Sequence, residues 1–358
     1  MTSAPVPRHR FRLTHKMIIT STPFRISFFG GGTDYPVWFR EHGGAVLATS
    51  INRYCYLSCR FYPPFFDHKH RIVWSQIELV RDLGEIQHPA VREAIRFVGL
   101  DDGLEIHHEG DLPARTGLGS SSAFVVGILH ALHMLKGNLV SKAQLANEAI
   151  RLEQELLKEN IGIQDQIITA HGGLNLIEFD RTGAYDLRPL PISPLRKHAI
   201  ENHMLLVYTG VSRTASNLAR QQISVIPQKP DVLHRMRALV YEAADLLLSD
   251  RDIAIFGELL HETWELKRSI TDQISTPLVD ELYVKARTAG AIGGKLLGAG
   301  GGGFVLMFVR PQERQRVLDV LRNFLVVPFS LESSGTHVVL YEPDRYSQFS
   351  RARRDFTR

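Results

Sequence analysis

Cysteine is scarce in this chain of 358 residues, which contains only Cys55 and Cys59. Two cysteines cannot form a disulfide framework or a four-thiolate zinc site, so disulfide-stapled and zinc-stapled small domains are excluded. No run of about 18 or more apolar residues is present, which excludes a membrane-spanning helix. No fixed-period repeat occurs, which argues against solenoids and propellers. At about 150 residues per domain, the length suggests two domains, or one large domain, of a soluble globular protein.

Charge of one sign is not in large excess, since Lys and Arg number 42 and Asp and Glu number 38. Four of the basic residues and no acidic residue lie in residues 1–16, which leaves the remainder balanced at 38 of each sign. Residues 1–16 lack the apolar core of a secretory signal, so we expect a disordered leader and a cytoplasmic protein. Residues 346–358 form a polar, basic tail. For residues 1–16 a nucleic-acid-binding arm is the alternative, but no aromatic-basic motif supports it, and no membrane contact is expected.

Strand-like and helix-like segments are mixed in both halves of the chain without regular alternation, which predicts an α+β fold. Proline-rich residues 180–200 predict a boundary between a domain over 17–190 and a domain over 200–345. An apolar run over 123–135 predicts a buried helix, and residues 278–289 predict a helix that leads directly into a glycine-rich loop. A capping box precedes another helix, whose predicted buried stripe comprises Leu145, Ala149, Leu152 and Leu156.

The segment over residues 113–123 joins a glycine-rich turn to three serines and the buried helix. Backbone N–H groups at a helix N-terminus are unpaired and face a positive dipole, and glycines let a phosphate approach them closely. Serine hydroxyls can bind phosphate oxygens or Mg²⁺. Neither a Walker A loop nor a Rossmann fingerprint is present. The pattern favours phosphate binding, with a serine-rich helix cap as the alternative.

Two further glycine motifs are present. Residues 298–303 include four consecutive glycines, which are costly in backbone entropy and indicate close backbone approach or a second anion-binding wall rather than a merely flexible loop. Arg25 and Asp34 flank the glycines at 30–32, where the aspartate is placed either to bind sugar hydroxyls or to cap a turn.

Two carboxylates complete the set of chemistry-bearing residues. Asp165 lies in an otherwise apolar segment, and a buried carboxylate requires a partner, a metal or a raised pKa. Glu153 borders the apolar stripe of its helix, where a solvated helix face is the alternative. Two carboxylates beside a phosphate loop suit Mg²⁺ binding and the orientation of an attacking hydroxyl.

The three glycine motifs, in this order, resemble those of the GHMP kinase superfamily, named for galactokinase, homoserine, mevalonate and phosphomevalonate kinases. The resemblance covers about residues 17–345. It implies two domains, an N-terminal one similar to ribosomal protein S5 domain 2 and a ferredoxin-like C-terminal one. It also implies ATP and Mg²⁺ as cofactors and a small-molecule substrate, in a monomer or homodimer.

The resemblance assigns roles residue by residue. Asp165 is the implied catalytic aspartate, steadied by Arg25, and Ser121 and Glu153 are the implied Mg²⁺ ligands. Glu153 precedes Asp165 by 12 residues, as in galactokinases. The implied ATP phosphate-binding residues are Gly117, Leu118, Gly119, Ser120, Ser121 and Ser122. The implied substrate-binding residues are Gly31, Gly32, Thr33, Asp34, Lys295, Gly300, Gly301 and Arg213.

Within the superfamily, the Gly-Gly-Gly-Thr-Asp-Tyr-Pro segment is most similar to that of D-glycero-D-manno-heptose 7-phosphate 1-kinases. Galactokinases have Glu and His where this chain has Gly31 and Gly32, so contacts from those two side chains are lacking. The implied reaction is phosphorylation of the C1 hydroxyl of a heptose phosphate, which supplies nucleotide-activated heptose synthesis. Lys267 and Arg268 are further candidates to bind the substrate phosphate, and Trp74 and Ser75 to bind adenine. A kinase for fucose or another hexose, and a catalytically silent sugar or ATP sensor, are the alternatives.

Overall fold

The protein has two β-sheets with helices packed around them. The computed structural model describes residues 16–63, 65–211 and 215–342, without the side chains of 215–217. The strands are β1 (Met17–Phe29), β2 (Gly44–Phe61), β3 (His70–Val73), β4 (Ile77–Val80), β5 (Leu104–Gly110), β6 (Leu174–Phe179), β7 (Tyr185–Pro189), β8 (Met204–Tyr208), β9 (Ala291–Leu296), β10 (Phe304–Val309), β11 (Leu325–Val327), β12 (Leu331–Glu332) and β13 (His337–Glu342). The helices are α1 (Pro36–His42), α2 (Pro89–Val98), α3 (Ser120–Lys136), α4 (Lys142–Arg151), α5 (Gln164–His171), α6 (Pro194–His203), α7 (Ala215–Val225), α8 (Pro230–Leu247), α9 (Ala254–Arg268), α10 (Pro277–Thr288) and α11 (Arg314–Val320). The predicted disordered leader through residue 15 and the polar tail at 346–358 lie outside the described residues.

The first sheet has nine strands, with the main order β13-β1-β2-β5-β3-β4 and with β6 and β12 also paired to β2 and β7 to β6. Its pairs are antiparallel except for β3 with β5. The long strand β2 pairs with β6 over its first residues and with β5 over its last. Helix α3 packs across β1 and β2, so the buried helix and the two long strands form one layered core.

The second sheet has four antiparallel strands in the order β11-β8-β10-β9. Helices follow β8, a hairpin joins β9 to β10, and α11 leads to β11, which is the connectivity of a ferredoxin-like unit. The predicted two-domain α+β fold is confirmed. The domain limits stay a prediction, but β12 and β13, which the sequence assigned to the second unit, pair with β2 and β1 of the first sheet.

Helix α3 positions the serines of the phosphate loop. It begins after Gly119, whose φ is 72°, and ends at Gly137, whose φ is 88°. Most of its side chains are buried, as the apolar run predicted. The helix also includes the three serines, so the unpaired N–H groups of its first turn lie directly at the end of the glycine-rich loop.

Aromatic side chains join the two sheets. The ring of Phe256 on α9 meets those of Phe28 and Phe29 on β1 edge to face, with centroids 5.3 Å and 5.1 Å away. Such pairs add about 0.5–1.5 kcal/mol each beyond the burial of apolar surface. These contacts hold the end of β1 against α9 of the second unit.

The predicted passage from a helix directly into the glycine-rich loop is wrong. Strand β9 lies between α10 and that loop, so residues 297–303 connect two antiparallel strands. Two glycines concealed this strand in the sequence. A Cβ on Gly293 would lie 1.9 Å from the carbonyl oxygen of Gly257, so glycine is needed there for α9 to approach the strand.

Candidate active site

A cavity of about 720 Å³ lies between the two units and is large enough for a substrate and cofactor. Predicted site residues that line it are Arg25, Gly31, Gly32, Asp34, Gly117, Gly119, Ser120, Ser121, Glu153, Asp165 and Lys295. Predicted site residues that do not line it are Thr33, Leu118, Ser122, Gly300 and Gly301. Arg213 lies outside the described residues. Segments that are far apart in sequence thus meet at one place, while the roles of the individual residues stay predictions.

The loop before α3 presents backbone rather than bulky side chains to the cavity. Gly117 and Gly119 have φ values of 85° and 72°, which favour glycine. The side chains of Leu118 and Ser122 are buried away from the cavity, so these two residues can offer only their backbone to a ligand. An anion at this place would meet unpaired N–H groups and the positive end of the α3 dipole.

Arg25 and Asp165 form a buried ion pair at the same end of the cavity. Arg25 Nε donates to Asp165 Oδ1 at 2.6 Å, and Arg25 Nη2 donates to Oδ2 at 2.5 Å. Arg25 Nη1 also donates to the carbonyl of Gly117 at 2.6 Å, which ties the pair to the phosphate loop. A guanidinium has five N–H groups, so two remain for an oxygen of a ligand.

Glu153 is fully buried and surrounded by neutral donors. Its carboxylate accepts hydrogen bonds from the hydroxyls of Ser121 and Ser122, both at 2.7 Å, and from Gln166 Nε2 at 2.5 Å. Burial raises the pKa of Glu153 to about 7, although these three hydrogen bonds act in the opposite direction and nearby Asp165 adds to the rise. The solvated-face alternative for Glu153 is excluded by this burial.

A π turn explains why the buried stripe predicted from the helix period is wrong at Leu156. After α4, residues 152–156 form a π-helical turn in which the N–H of Leu157 bonds to the carbonyl of Leu152 at 2.9 Å. The wider turn shifts the inward face by one residue. Leu156, predicted to be in the buried stripe, is therefore 43% exposed, whereas Glu153 turns inward.

The residues near Ser121 fit a magnesium ion. Mg²⁺ prefers oxygen ligands and commonly binds through one or two carboxylates together with substrate phosphates. Ser121 Oγ and the Glu153 carboxylate both border the cavity next to the phosphate loop. Across the part of the chain that the structure describes, no group of three or more His, Cys, Asp or Glu side chains could hold a metal by itself. A metal here would therefore need phosphate oxygens to complete its ligand set.

Asp34 also lines the cavity and lies in the turn after β1. Its Oδ1 accepts from the N–H of Gly32 and its Oδ2 from Gln164 Nε2, both at 2.9 Å. Burial raises the pKa of Asp34, and the Gly32 hydrogen bond opposes that rise. Thr33 instead bonds to the carbonyls of Gly30 and Ala45, so its hydroxyl fixes the turn rather than facing the cavity.

The second glycine loop packs backbone to backbone on the first. A Cβ on Gly117 would lie 2.4 Å from the carbonyl oxygen of Leu297, and one on Gly298 would lie 2.4 Å from the Cα of Gly117. A Cβ on Gly303 would meet the carbonyl oxygen of Thr116 at 2.3 Å. The glycines are thus required for close approach, which the sequence had indicated. Gly300 and Gly301 lie behind this contact and meet Ile274.

Two buried lysines border the cavity, and among the described residues no carboxylate is bonded to either. Lys295 Nζ donates to the carbonyls of Ser27 and Phe28, both at 2.9 Å. Lys267 Nζ donates to the carbonyl of Gly298 at 2.5 Å. Burial lowers the pKa of Lys267 to about 8 and that of Lys295 well below its ordinary value. An anionic ligand would compensate both charges. Arg268 does not border the cavity and pairs with Glu265 and Asp280.

An aromatic group at another part of the cavity wall was only partly indicated by the sequence. Trp74 meets His88 edge to face at 4.9 Å, and His88 stacks on Phe124 at 4.8 Å. His108 meets the same Phe124 edge to face at 4.9 Å. All four line the cavity, as does Ser75. Trp74 and Ser75 were candidates from the sequence, but the other three belong to segments that show no common motif.

Comparison with known proteins identifies two family models in the chain. The model described as GHMP kinases N terminal domain matches residues 86–173, and the model described as GHMP kinases C terminal matches residues 242–327. These ranges include the phosphate loop, Glu153 and Asp165 in the first match and the second glycine loop in the other.

Individual relatives point the same way. The chain is 28% identical to D-glycero-alpha-D-manno-heptose 7-phosphate kinase of Campylobacter jejuni, over 86% of this chain and 94% of that protein. It is 26% identical to the L-fucokinase/L-fucose-1-P guanylyltransferase of Bacteroides fragilis, over 84% of this chain but 35% of that longer protein. A crystal structure of a D-glycero-D-manno-heptose 1-phosphate kinase from Bacteroides thetaiotaomicron superposes with a TM-score of 0.74 at 24% identity, over 90% of this chain and 99% of that chain. At this identity the superposition establishes the shared fold.

Proposed function

Because the chain belongs to the GHMP kinase family, as its three motifs predicted, we propose that it transfers the γ-phosphoryl group of ATP to a sugar. The acceptor we propose is the C1 hydroxyl of D-glycero-D-manno-heptose 7-phosphate, which would yield the 1,7-bisphosphate. The observation that supports this most strongly is the Arg25–Asp165 pair, bonded at 2.5 Å and 2.6 Å and attached to the phosphate loop inside the cavity.

Asp165 and Arg25 divide the work of the transfer. The C1 oxygen forms a bond to the γ-phosphorus while the bond from that phosphorus to the bridging oxygen of ADP breaks. Asp165 orients the hydroxyl and accepts its proton. Arg25 holds the Asp165 carboxylate in place and directs its free N–H groups at the transferring phosphoryl oxygens.

The loop over residues 117–122 holds the ATP phosphates through backbone N–H groups and the N-terminus of α3. Ser121 and Glu153 hold Mg²⁺, which supplies positive charge to the phosphates when bound. The aromatic group of Trp74, His88, His108 and Phe124 is the proposed site for the adenine base, since planar rings stack on bases.

A substrate that already carries a phosphate fits the charge of the cavity. Burial lowers the pKa of Lys267 and of Lys295, and among the described residues neither is paired with a carboxylate, so an anionic group near them would favour their charged forms. Asp34 and the glycines beside it form the proposed sugar-hydroxyl site. The relative named as a heptose 7-phosphate kinase supports this choice of substrate.

The second candidate is a kinase for another sugar, which the likeness to a fucokinase favours. A neutral sugar would leave the charges of Lys267 and Lys295 uncompensated in the occupied site. The catalytically silent sensor is disfavoured, because Arg25, Asp165 and Glu153 are all present and brought together at the cavity.

The test is ATP consumption with Mg²⁺ across a panel of sugars. The panel comprises D-glycero-D-manno-heptose 7-phosphate, mannose 6-phosphate, sedoheptulose 7-phosphate, galactose and fucose. We expect turnover with the heptose phosphate alone. Turnover with a neutral sugar would retain the kinase and reject the phosphate-bearing substrate, whereas no turnover with any of them would reject the proposed reaction.

A further inference from the structure

Two polar side-chain atoms at the cavity have no hydrogen-bond partner among the described residues, namely Ser27 Oγ and Gln164 Oε1. Both residues line the cavity, and they are only 7% and 8% exposed. A buried polar atom without a partner is costly, and in folded proteins such atoms are nearly always bonded. Their place on a cavity wall suggests that a ligand supplies the missing bonds.

Ser27 and Gln164 approach the cavity from neighbouring elements. Ser27 lies two residues after Arg25 on β1, so both side chains project from the same face of that strand. Gln164 directly precedes Asp165 at the start of α5. A Cβ on Gly31 would lie 3.6 Å from Ser27 Oγ and 3.8 Å from Gln164 Nε2. Both side chains therefore flank the open place above Gly31.

The existing hydrogen bond of Gln164 determines which of its side-chain atoms can bond to a ligand. Gln164 Nε2 donates to Asp34 Oδ2 at 2.9 Å, and a carboxylate can only accept. The amide is thereby oriented with its nitrogen on Asp34 and its oxygen free as an acceptor. The hydroxyl of Ser27 can both donate and accept. Together they present one acceptor and one donor beside Gly31, which is the complement of a hydroxyl group.

We propose that Ser27 and Gln164 bind one hydroxyl of the sugar in the space above Gly31, an inference that rests on the proposed sugar kinase function. The sugar hydroxyl donates to Gln164 Oε1 and accepts from Ser27 Oγ, while Asp34 holds the amide in register. A sugar that lacks this hydroxyl, or carries it in the opposite configuration, leaves both buried atoms unbonded. The pair therefore contributes to the choice among sugars.

The most direct variant is Ser27→Ala, because no described side-chain hydrogen bond is lost with this hydroxyl. We expect the KM for D-glycero-D-manno-heptose 7-phosphate to rise about 5- to 10-fold, the effect of one hydrogen bond, with the KM for ATP and the Tm unchanged. Gly31→Ala is the second variant. Its Cβ would meet no atom closer than 3.6 Å but would fill the hydroxyl's place, so the same KM should rise.

Thr263→Val is the matched control. Thr263 Oγ1 is also buried and has no partner within the described ranges, but Thr263 does not line the cavity. This variant should leave the KM for the sugar unchanged. Among monodeoxy analogues of the heptose phosphate, the one that lacks the contacted hydroxyl should have the same KM with the wild type and with Ser27→Ala.

The outcomes separate this inference from the function on which it rests. A selective rise in the sugar KM for Ser27→Ala and Gly31→Ala, absent in Thr263→Val, supports the pair. An active wild type whose sugar KM is the same in Ser27→Ala, or rises together with the KM for ATP, overturns the pair and leaves the kinase standing. A wild type that phosphorylates no sugar of the panel overturns both.

Discussion

Glu153 and Asp165 border the same cavity, yet their surroundings differ in charge. Asp165 is bonded twice to the guanidinium of Arg25, which compensates its charge inside the protein. In the part of the chain that the structure describes, the donors to the Glu153 carboxylate are all neutral, namely the hydroxyls of Ser121 and Ser122 and the amide of Gln166. Hydrogen bonds alone do not offset burial, and the pKa of Glu153 rises to about 7.

Two carboxylates in the same cavity can therefore have different roles, depending on whether a cation is bonded to them. Arg25 holds the Asp165 carboxylate in place before any ligand arrives, as an orienting group requires. Glu153, whose pKa is raised to about 7, must lose any proton it carries before it can bind a metal ion, so protonation and metal binding compete there. We expect substitutions at these two carboxylates to have the largest effects, and substitutions at Gly117 and Lys295 to have smaller ones.

Asp165→Asn should reduce kcat for the heptose phosphate by about 10³-fold, since general acid–base groups contribute about 10²- to 10⁴-fold. The amide keeps the shape of the carboxylate but cannot take the hydroxyl proton. Steady-state kinetics would measure the loss, with Tm as the check on folding. Retention of more than about a tenth of kcat by a folded variant would remove Asp165 from the proposed mechanism.

Glu153→Gln should weaken activation by Mg²⁺ about 10²-fold, because it removes the only carboxylate proposed to bind the metal. In wild type, a proton at Glu153 competes with the metal. The Mg²⁺ concentration for half-maximal activity should therefore rise up to about tenfold for each pH unit below 7. The variant should lose this pH dependence, and a Mg²⁺ titration from pH 5.5 to 8 distinguishes the two behaviours.

The raised pKa of Glu153 should also affect the Tm of the metal-free protein, measured in EDTA. A carboxyl whose pKa is higher in the folded state stabilises most below its ordinary pKa, and that contribution is lost as pH rises through about 7. Glu153→Gln carries no charge at any pH, so its Tm should increase relative to wild type between pH 5 and pH 8. Parallel Tm curves for the two proteins would indicate that Glu153 does not retain its proton.

Gly117→Ala tests the close contact of the two glycine loops. Its Cβ would lie 2.4 Å from the carbonyl oxygen of Leu297, so the loops must separate, and the KM for ATP should rise about tenfold or more. Gly137→Ala is the matched control, because its φ of 88° is similar but nothing lies within 4 Å of the added Cβ. The control should lose about 1–2 kcal/mol of stability and keep the KM for ATP.

Lys295→Met should raise the KM for the heptose phosphate about fivefold while kcat changes less, because one N–H of Lys295 remains for the substrate phosphate. Lys285→Met, on an exposed face of α10 where Lys285 pairs with Glu281, is the control and should change neither constant. An unaltered KM in Lys295→Met would make this lysine a purely structural link between β9 and β1.

Much of the candidate site was predictable from local patterns. Glycines before α3 and at 298–303 indicated close backbone approach, and Asp165 stood out as a charge in an apolar segment. These signals are local, because the backbone conformation of a turn and the polarity of a short segment are written in consecutive residues. The order of the three motifs then predicted the family and the fold.

The residues that sequence reasoning missed depend on tertiary contacts. The helix period could not anticipate the π turn that turns Glu153 inward and exposes Leu156, since one additional residue per turn leaves no clear sequence mark. The strand β9 was concealed because its glycines serve the packing of α9. Ser27 and Gln164 meet only where β1 and α5 converge, so neither residue shows a signal by itself.

Phosphorylation of the C1 hydroxyl is tested most directly by the identity of the product, determined by ³¹P NMR after incubation with ATP, Mg²⁺ and D-glycero-D-manno-heptose 7-phosphate. We predict one ADP for each sugar consumed and a second phosphate signal coupled to the anomeric proton, with neither change in the Asp165→Asn protein. ADP formation that is independent of sugar, or a new phosphate on any carbon other than C1, would contradict it.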